Sequence, residues 1–171
     1  MDGDNLSCCY HLDESACGNP YQGEFCIEVP YFGDGTLDAL IPEGAVSFDA
    51  CDAPPGPKLV LTKQSRAEHL IGVWLRCGPP APSFNGNAIV FRGDGTFQAL
   101  QTDEQGRLAP AAGCNQSGLW GFLSSNPGQL NMHMGDWTAI GSPQFTGGSP
   151  RRLYSAGNLG SEFFVEATMV P

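Results

Sequence analysis

Seven cysteines are the residues of this chain best able to do chemistry, and five of them lie within the first 51 positions. Idle thiols at this density are unusual in a reducing cytosol, so disulfide formation is the chemistry that we expect. Disulfides predict an oxidising compartment, which means a protein that is secreted, displayed at the cell surface or periplasmic.

The cysteines after the N-terminal cluster suggest one particular pair. We favour a disulfide between Cys77 and Cys114, because it would join the two ends of the segment that contains the clearest predicted hairpin. Closing such a loop stabilises a fold by about 3–4 kcal/mol, through its effect on the unfolded chain.

The other five cysteines form at most two bridges and leave one thiol, which could bond to another chain or be modified. We expect Cys17, Cys26 and Cys51 in bridges, with Cys8 or Cys9 as the spare. Zinc is the competing interpretation, with His11 as a further ligand. Zinc sites prefer cysteines two to four residues apart, and this cluster lacks that spacing, so we assign no metal.

No sequence motif specifies a reaction. The chain has no Gly-x-Ser-x-Gly, no His-Glu-x-x-His and no phosphate-binding glycine loop. An isomerase or cyclase that steers an apolar substrate with His133, Tyr154 or Glu166 is the enzymatic alternative. We assign no catalytic residue and no cofactor, and a non-enzymatic role is the favoured prediction.

Charge and composition exclude other classes. The formal net charge of −10 repels phosphate backbones and anionic lipid headgroups, so no nucleic-acid partner is expected. No run of 18 apolar residues predicts a membrane span. With 23 glycines and 14 prolines, the composition favours short strands joined by tight turns.

Two parts of the chain meet at the motif Ala53-Pro-Pro-Gly-Pro57, which interrupts helices and sheet ladders. We predict a cysteine-rich segment over 1–57 and one β-domain over 58–171. Within the second part, Ser65 and Glu68 have the spacing of a helix capping box, which predicts a short helix or turn before Trp74.

The strand signal is clearest around a hairpin. Apolar residues over 88–91 and 96–102 flank Arg92-Gly-Asp-Gly95, and Asp-Gly supplies the positive φ angles of a tight turn. Further strands are predicted over 118–123, 129–134, 137–140, 151–156 and 161–169. Successive short strands of this kind predict an all-β fold, an antiparallel up-and-down barrel with a disulfide-stabilised front segment.

Three motifs carry a family resemblance: Gly72-Val-Trp74, the hairpin that ends in Asp94-Gly-Thr-Phe97, and Gly118-Leu-Trp120. Over about residues 68–169 the chain resembles a lipocalin-like (calycin) domain of an exported bacterial protein. The resemblance implies a closed barrel that holds a small apolar molecule. It also implies that Trp74 closes one end of the barrel by packing.

A barrel of this size has an interior wide enough for side chains or for one small ligand. The side chains expected to face inward include Ile89, Leu130 and Val165. The ligand-binding residues expected among them are Phe91, Phe97, Trp120, Phe122, Met132, Met134 and Phe163. Core packing without a ligand is the competing interpretation and the one that we favour. His133 lies between Met132 and Met134, so its side chain points opposite to theirs, either as a polar group in the lumen or outward, and we expect it to face outward.

Two functions remain open at this point. The first is an exported lipocalin-like protein that holds a small apolar molecule in its barrel. The second is an extracellular structural or interaction protein, in which residues 1–57 dock to a protein partner or drive self-assembly.

Overall fold

The computed structural model describes residues 5–13, 22–30, 41–78, 86–113, 116–122, 126, 128–134, 137–154 and 163–170. The fold is all-β and antiparallel, as predicted. Its strands are β1 (Asn5–Asp13), β2 (Gln22–Pro30), β3 (Val46–Ser47), β4 (Gly72–Cys77), β5 (Ala88–Phe91), β6 (Thr96–Thr102), β7 (Leu108–Pro110), β8 (Ser117–Phe122), β9 (Leu130–Met134), β10 (Trp137–Gly141), β11 (Gln144–Thr146), β12 (Arg152–Tyr154), β13 (Phe163–Glu166) and β14 (Thr168–Met169). The helices are a 3-10 turn over Asp49–Asp52 and α1 (Lys63–Leu70).

The main sheet is an up-and-down meander. Its hydrogen-bonded order is β10-β9-β8-β6-β5-β4-β13-β12-β11, and β7 extends the pairing of β6. The first and last strands of this order, β10 and β11, are consecutive in the chain and are joined by Ser142 and Pro143. The chain therefore crosses directly from one edge of the sheet to the other, and we call this junction the seam.

The hairpin between β5 and β6 forms where the sequence predicts it. Gly95 has φ of +83°, a value that favours glycine. The Asp94 carboxylate accepts hydrogen bonds from the Thr96 backbone N–H (2.9 Å) and hydroxyl (2.6 Å). The turn presents its carbonyls to the Trp120 indole N–H, which donates to Arg92 O at 3.0 Å and to Thr96 O at 3.1 Å.

The sheet curls because one of its faces packs against itself. A single buried cluster contains residues from eight strands of the meander, including Phe91 on β5, Met132 on β9 and Leu153 on β12. Strands so far apart in the sheet order can bury side chains together only on the concave face of a curved sheet. The interior of the barrel is therefore an aromatic core.

The N-terminal side of the barrel domain covers part of the convex face. Strand β3 pairs with β14, and Val46 packs with Val73, Leu75 and Val90 in a second cluster. The 3-10 turn is tied to β4 by a disulfide between Cys51 and Cys77. The front segment is thus disulfide-stabilised, as the sequence predicts.

Helix α1 closes one end of the barrel. Its residues Ala67 and Leu70, together with Ile71, belong to the interior cluster. Trp74 is fully buried beneath it and donates its indole N–H to Leu70 O at 2.8 Å. The predicted packing role of Trp74 is confirmed.

The first two strands form a separate two-stranded antiparallel sheet. In its register, Asn5 lies opposite Pro30 and Cys9 lies opposite Cys26. Strand β2 runs alongside β8. The sequence pattern over 1–30 predicts neither of these strands.

Candidate functional site

The predicted ligand-binding residues mostly occupy the barrel interior, but they pack against one another. The buried interior cluster includes five of them: Phe91, Phe97, Trp120, Phe122 and Met132. The structure does not describe the side chain of Met134. The structure thus confirms the inward orientation of these five side chains, and their role in ligand binding stays a prediction.

Aromatic contacts run across the interior. The ring centroids of Phe91 and Trp120 are 5.8 Å apart at 86°, and those of Trp120 and Phe122 are 6.4 Å apart at 89°. Edge-to-face pairs at such distances are favourable packing arrangements. Nearer the closed end, Trp74 and Phe145 are 6.1 Å apart. The part of the interior that these rings line is a packed core.

The predicted orientation of Phe163 and Val165 is wrong. Both pack with the cluster on the convex face, and Phe163 stacks on Tyr154 at 5.6 Å and lies 4.6 Å beneath the guanidinium of Arg152. Their neighbour Phe164 belongs to the interior cluster instead. The alternation in β13 is as predicted, but the face that enters the barrel is the other one.

The predicted partner of Cys77 is also wrong. Cys77 is bonded to Cys51, with Cα atoms 5.6 Å apart, so a Cys77–Cys114 bridge is not formed. The reason is that the front segment folds back over β4, which sequence spacing does not reveal. Cys51 is a disulfide residue as expected, Cys17 and Cys114 lie outside the described residues, and the side chains of Cys8, Cys9 and Cys26 are not described.

A pocket of about 200 Å3 opens beside the seam. We call it the seam pocket. Three sides enclose it: an extended segment before α1, the helix itself, and the start of β11. Its lining residues are Lys58, Leu59, Val60, Leu61, Arg66, Pro143, Gln144 and Phe145.

The floor of the seam pocket is continuous with the core. Phe145 is 1% exposed and belongs to the interior cluster, and Leu59 and Leu61 pack against that cluster. Val60, between the two leucines, is 98% exposed. Alternation along this segment therefore sends two side chains inward and leaves an apolar one at the rim.

The extended segment 53–61, which we call the strap, is held to the edge of β11 by backbone hydrogen bonds. Leu59 N–H donates to Phe145 O at 2.9 Å, and Gly147 N–H donates to Pro57 O at 2.8 Å. Gly56 crosses Gly147 so closely that a Cβ on Gly56 would collide with the Gly147 carbonyl. The strap thus takes the place of a sheet neighbour on this side of β11.

Helix α1 positions Arg66 at the pocket. The helix begins one turn earlier than the predicted capping box requires, because its N-cap is Thr62, whose hydroxyl accepts from Ser65 N–H at 3.2 Å. The predicted helix is confirmed, and the predicted capping role of Ser65 is wrong. The Arg66 guanidinium lies against Gly128. A Cβ added to that glycine would be 3.3 Å from Arg66 Nη1.

The three residues of the enzymatic alternative lie in different places. Glu166 is paired with Arg151 through contacts of 2.8 and 3.1 Å, and Arg151 lies 5.4 Å above the Trp74 ring. The Arg151 guanidinium lowers the pKa of Glu166. Tyr154 stacks on the convex face, and the described contacts join it to neither His133 nor Glu166. Partial burial lowers the pKa of His133.

Neither a metal centre nor a transmembrane helix is found in the part of the chain that the structure describes. There, no three His, Cys, Asp or Glu residues are grouped in a way that could hold a metal ion. The same residues contain no helix long and apolar enough to cross a membrane. The disulfide is compatible with an extracellular or periplasmic location.

Comparison with known proteins found no family model, no curated protein and no solved structure that matches the chain. The class defined by fold and site is therefore a structural one: an antiparallel up-and-down β-barrel with a disulfide-anchored front segment and a pocket at its seam. The kinship to lipocalin-like domains stays a prediction.

Sequence reasoning missed the seam pocket. The motif Lys58-Leu-Val-Leu-Thr62 shows the alternation of a strand, which is a usable signal for the strap. Phe145 gives no such signal, since β11 has only three residues. The approach of the strap to β11 depends on the curvature of the whole sheet, which local pattern does not encode.

Proposed function

We propose that this protein is an exported binding protein for a small molecule with an apolar body, and that the molecule binds in the seam pocket. The single observation that carries the proposal is the junction of a solvent-open pocket of about 200 Å3 with the aromatic core through Leu59, Leu61 and Phe145. The accessible surface of the pocket is more polar than apolar, so a small molecule that has polar groups as well as an apolar part fits it.

The packed interior argues for the seam as the site and against the middle of the barrel. Core side chains at native density leave little room, and displacing them would create strain in their neighbours. A ligand at the seam lies against the strap and the start of β11 and leaves the ring contacts of the core intact. The expected location of the ligand therefore shifts from the centre of the barrel to its wall.

Size limits the ligand. A volume of about 200 Å3 corresponds to six or seven water molecules at roughly 30 Å3 each. Typical pockets for drug-sized molecules start at about 300 Å3. The ligand class is therefore small, such as a short acyl chain or a single substituted ring.

A blocking variant tests the proposal with octanoate and 1-octanol as probes. Gln144 is exposed at the pocket rim, so Gln144→Trp should fill the opening without disturbing the core. The control is Ser142→Trp, an exposed neighbour outside the lining. We expect saturable binding by isothermal titration calorimetry that Gln144→Trp abolishes and Ser142→Trp retains. Binding of neither probe, or equal binding by both variants, would refute the proposal.

The interaction role is a second candidate, and the β1–β2 hairpin favours it. Strand β1 is nine residues long and has β2 as its one described neighbour. Long edge strands are templates for pairing with another chain. We expect a concentration-dependent dimer in analytical ultracentrifugation that Ser7→Pro weakens, because proline removes a backbone donor. A chain that stays monomeric at every concentration would exclude this role.

A further inference from the structure

Two cysteines lie directly opposite each other in the β1–β2 hairpin. The register pairs Cys9 with Cys26. We propose that these two residues form a cross-strand disulfide, which fixes the register of the hairpin at its middle. This bridge is separate from the Cys51–Cys77 bridge and does not depend on a ligand in the seam pocket.

The backbone of the hairpin places this pair within disulfide range. Residues directly opposite in antiparallel strands have Cα atoms about 4.5 or about 5.5 Å apart, depending on whether the pair is hydrogen-bonded. Disulfides join residues whose Cα atoms are about 4.4–6.8 Å apart. Both kinds of pair lie within this range, so the bridge requires no movement of the two strands.

The register also decides which of the two adjacent cysteines pairs with Cys26. All nine residues of β1 pair with β2 without interruption, and Cys9 is in the middle pair. Cys8 lies opposite Ile27. Successive residues alternate between the two faces of a sheet, so Cys8 and Cys26 belong to opposite faces. A Cys8–Cys26 bridge would require the whole hairpin to slip by one residue.

A covalent lock in this hairpin has a physical reason. A two-stranded hairpin by itself is marginally stable in water, and β1 has β2 as its one described neighbour in the sheet. A slip of one residue moves every side chain of a strand to the other face. A bridge at the middle pair permits one register only, so each residue of the hairpin keeps its face.

Formation of the bridge is a two-electron oxidation. Thiol–disulfide exchange with an oxidising disulfide forms the Cys9–Cys26 S–S bond, while the S–S bond of the oxidant breaks and leaves two thiols. The two cysteines lose two protons and two electrons in total, and the oxidant gains them. A compartment that supplies such an oxidant also produces the Cys51–Cys77 bridge, which the structure contains.

Peptide mapping of the full chain without reductant, after free thiols are blocked with N-ethylmaleimide, tests the pairing. A protease that cleaves after glutamate suits the cysteine-rich segment, which has no Lys or Arg but has glutamates on both sides of the paired cysteines, at Glu14, Glu24 and Glu28. The products include 1–14, with Cys8 and Cys9, and 25–28, with Cys26. We expect 25–28 to be joined to 1–14 and to be released by reduction.

The adjacent cysteines supply a matched pair of variants. Cys8→Ser leaves Cys9 as the one cysteine of peptide 1–14 and should retain the linkage to 25–28. Cys9→Ser should lose the linkage, and Cys26 should then react with N-ethylmaleimide. If Cys9→Ser does not fold, Cys8→Ser still decides the pairing, because its linkage can involve Cys9 alone.

Hydrogen exchange adds a readout of the register. The amides of β1 should exchange at least about tenfold faster in Cys9→Ser than in Cys8→Ser, because loss of the bridge makes the hairpin easier to open. Equal exchange would refute the role of the bridge as a lock. Linkage retained in both variants, linkage lost in Cys8→Ser, or a wild-type Cys26 that is alkylated or joined to another peptide would overturn the Cys9–Cys26 pairing.

Discussion

At the scale of single residues, Arg151 joins three parts of the closed end. It pairs with Glu166 on β13, donates to His69 O at the end of α1, and lies over the Trp74 ring of β4. Each contact is modest alone, because the Arg151 side chain is 24% exposed and the Glu166 side chain is 39% exposed. Together they fix the orientation of the helix that closes the barrel and borders the seam pocket.

The Glu166 contact predicts a particular pH dependence. The lowered pKa means that Glu166 stabilises the fold above the carboxyl's ordinary value near 4.5, and that this contribution is lost as pH falls through the lower folded value. We expect Glu166→Gln to reduce the unfolding free energy by about 0.5–1 kcal/mol at neutral pH and by nothing in strong acid. Urea denaturation across this range measures the difference.

The matched control is Glu43→Gln, which removes an exposed acid that has no ion pair among the described residues. Its effect should stay within about 0.5 kcal/mol at every pH. A difference between wild type and Glu166→Gln that grows on acidification would contradict the assigned role of the Arg151 pair.

At the scale of elements, α1 depends on its cap. Thr62→Ala should lower stability by about 1 kcal/mol, because it leaves the Ser65 N–H without its side-chain acceptor. Ser65→Ala should cost less, since its hydroxyl contacts Thr62 and caps no backbone donor in the described bonds. Thermal denaturation of the two variants distinguishes them. A larger loss for Ser65→Ala would restore the capping box predicted from sequence.

The strap offers a second test, with a natural pair of glycines. Gly56→Ala should displace the strap from β11, because its Cβ would meet the Gly147 carbonyl. Gly147→Ala should be tolerated, since its nearest contact would be Leu59 Cδ2 at 3.5 Å. Hydrogen exchange at the amides of Leu59 and Gly147 should accelerate in the first variant alone. Unchanged protection in Gly56→Ala would show that the strap is not held by this crossing.

The sequence predicts an element well when neighbouring residues determine it, and poorly when distant segments of the chain determine it. The hairpin of β5 and β6 follows from Asp94 and Gly95, and its strand bounds agree with those predicted. For β13 the period of two is legible, but which face enters the barrel depends on pairing with β4, where Phe163 lies opposite Cys77. The seam pocket depends on the strap, the helix and β11 together, so no single segment of the sequence predicts it.

At the scale of the whole molecule, the disulfide links the front segment to the barrel. Cys51 and Cys77 are 26 positions apart, and closing a loop of that length stabilises by about 3.5 kcal/mol in the chain-entropy account. We expect the double variant Cys51→Ala/Cys77→Ala to have an unfolding free energy lower than that of the wild type by about that amount, as measured by chemical denaturation. Non-reducing peptide mapping of the wild type should recover a Cys51–Cys77 peptide. A Cys77–Cys114 peptide in its place would contradict the fold of the front segment.

The barrel interior is a packed core, and we propose that the ligand binds at the wall of the barrel. Amide and indole correlation spectra recorded while octanoate is added test it most directly. We predict shifts at the amides of Leu59, Gln144 and Phe145, with the Trp120 indole and Met132 amide unmoved. Shifts at Trp120 and Met132 without any change at Leu59 and Phe145 would place the ligand inside the barrel and contradict the claim.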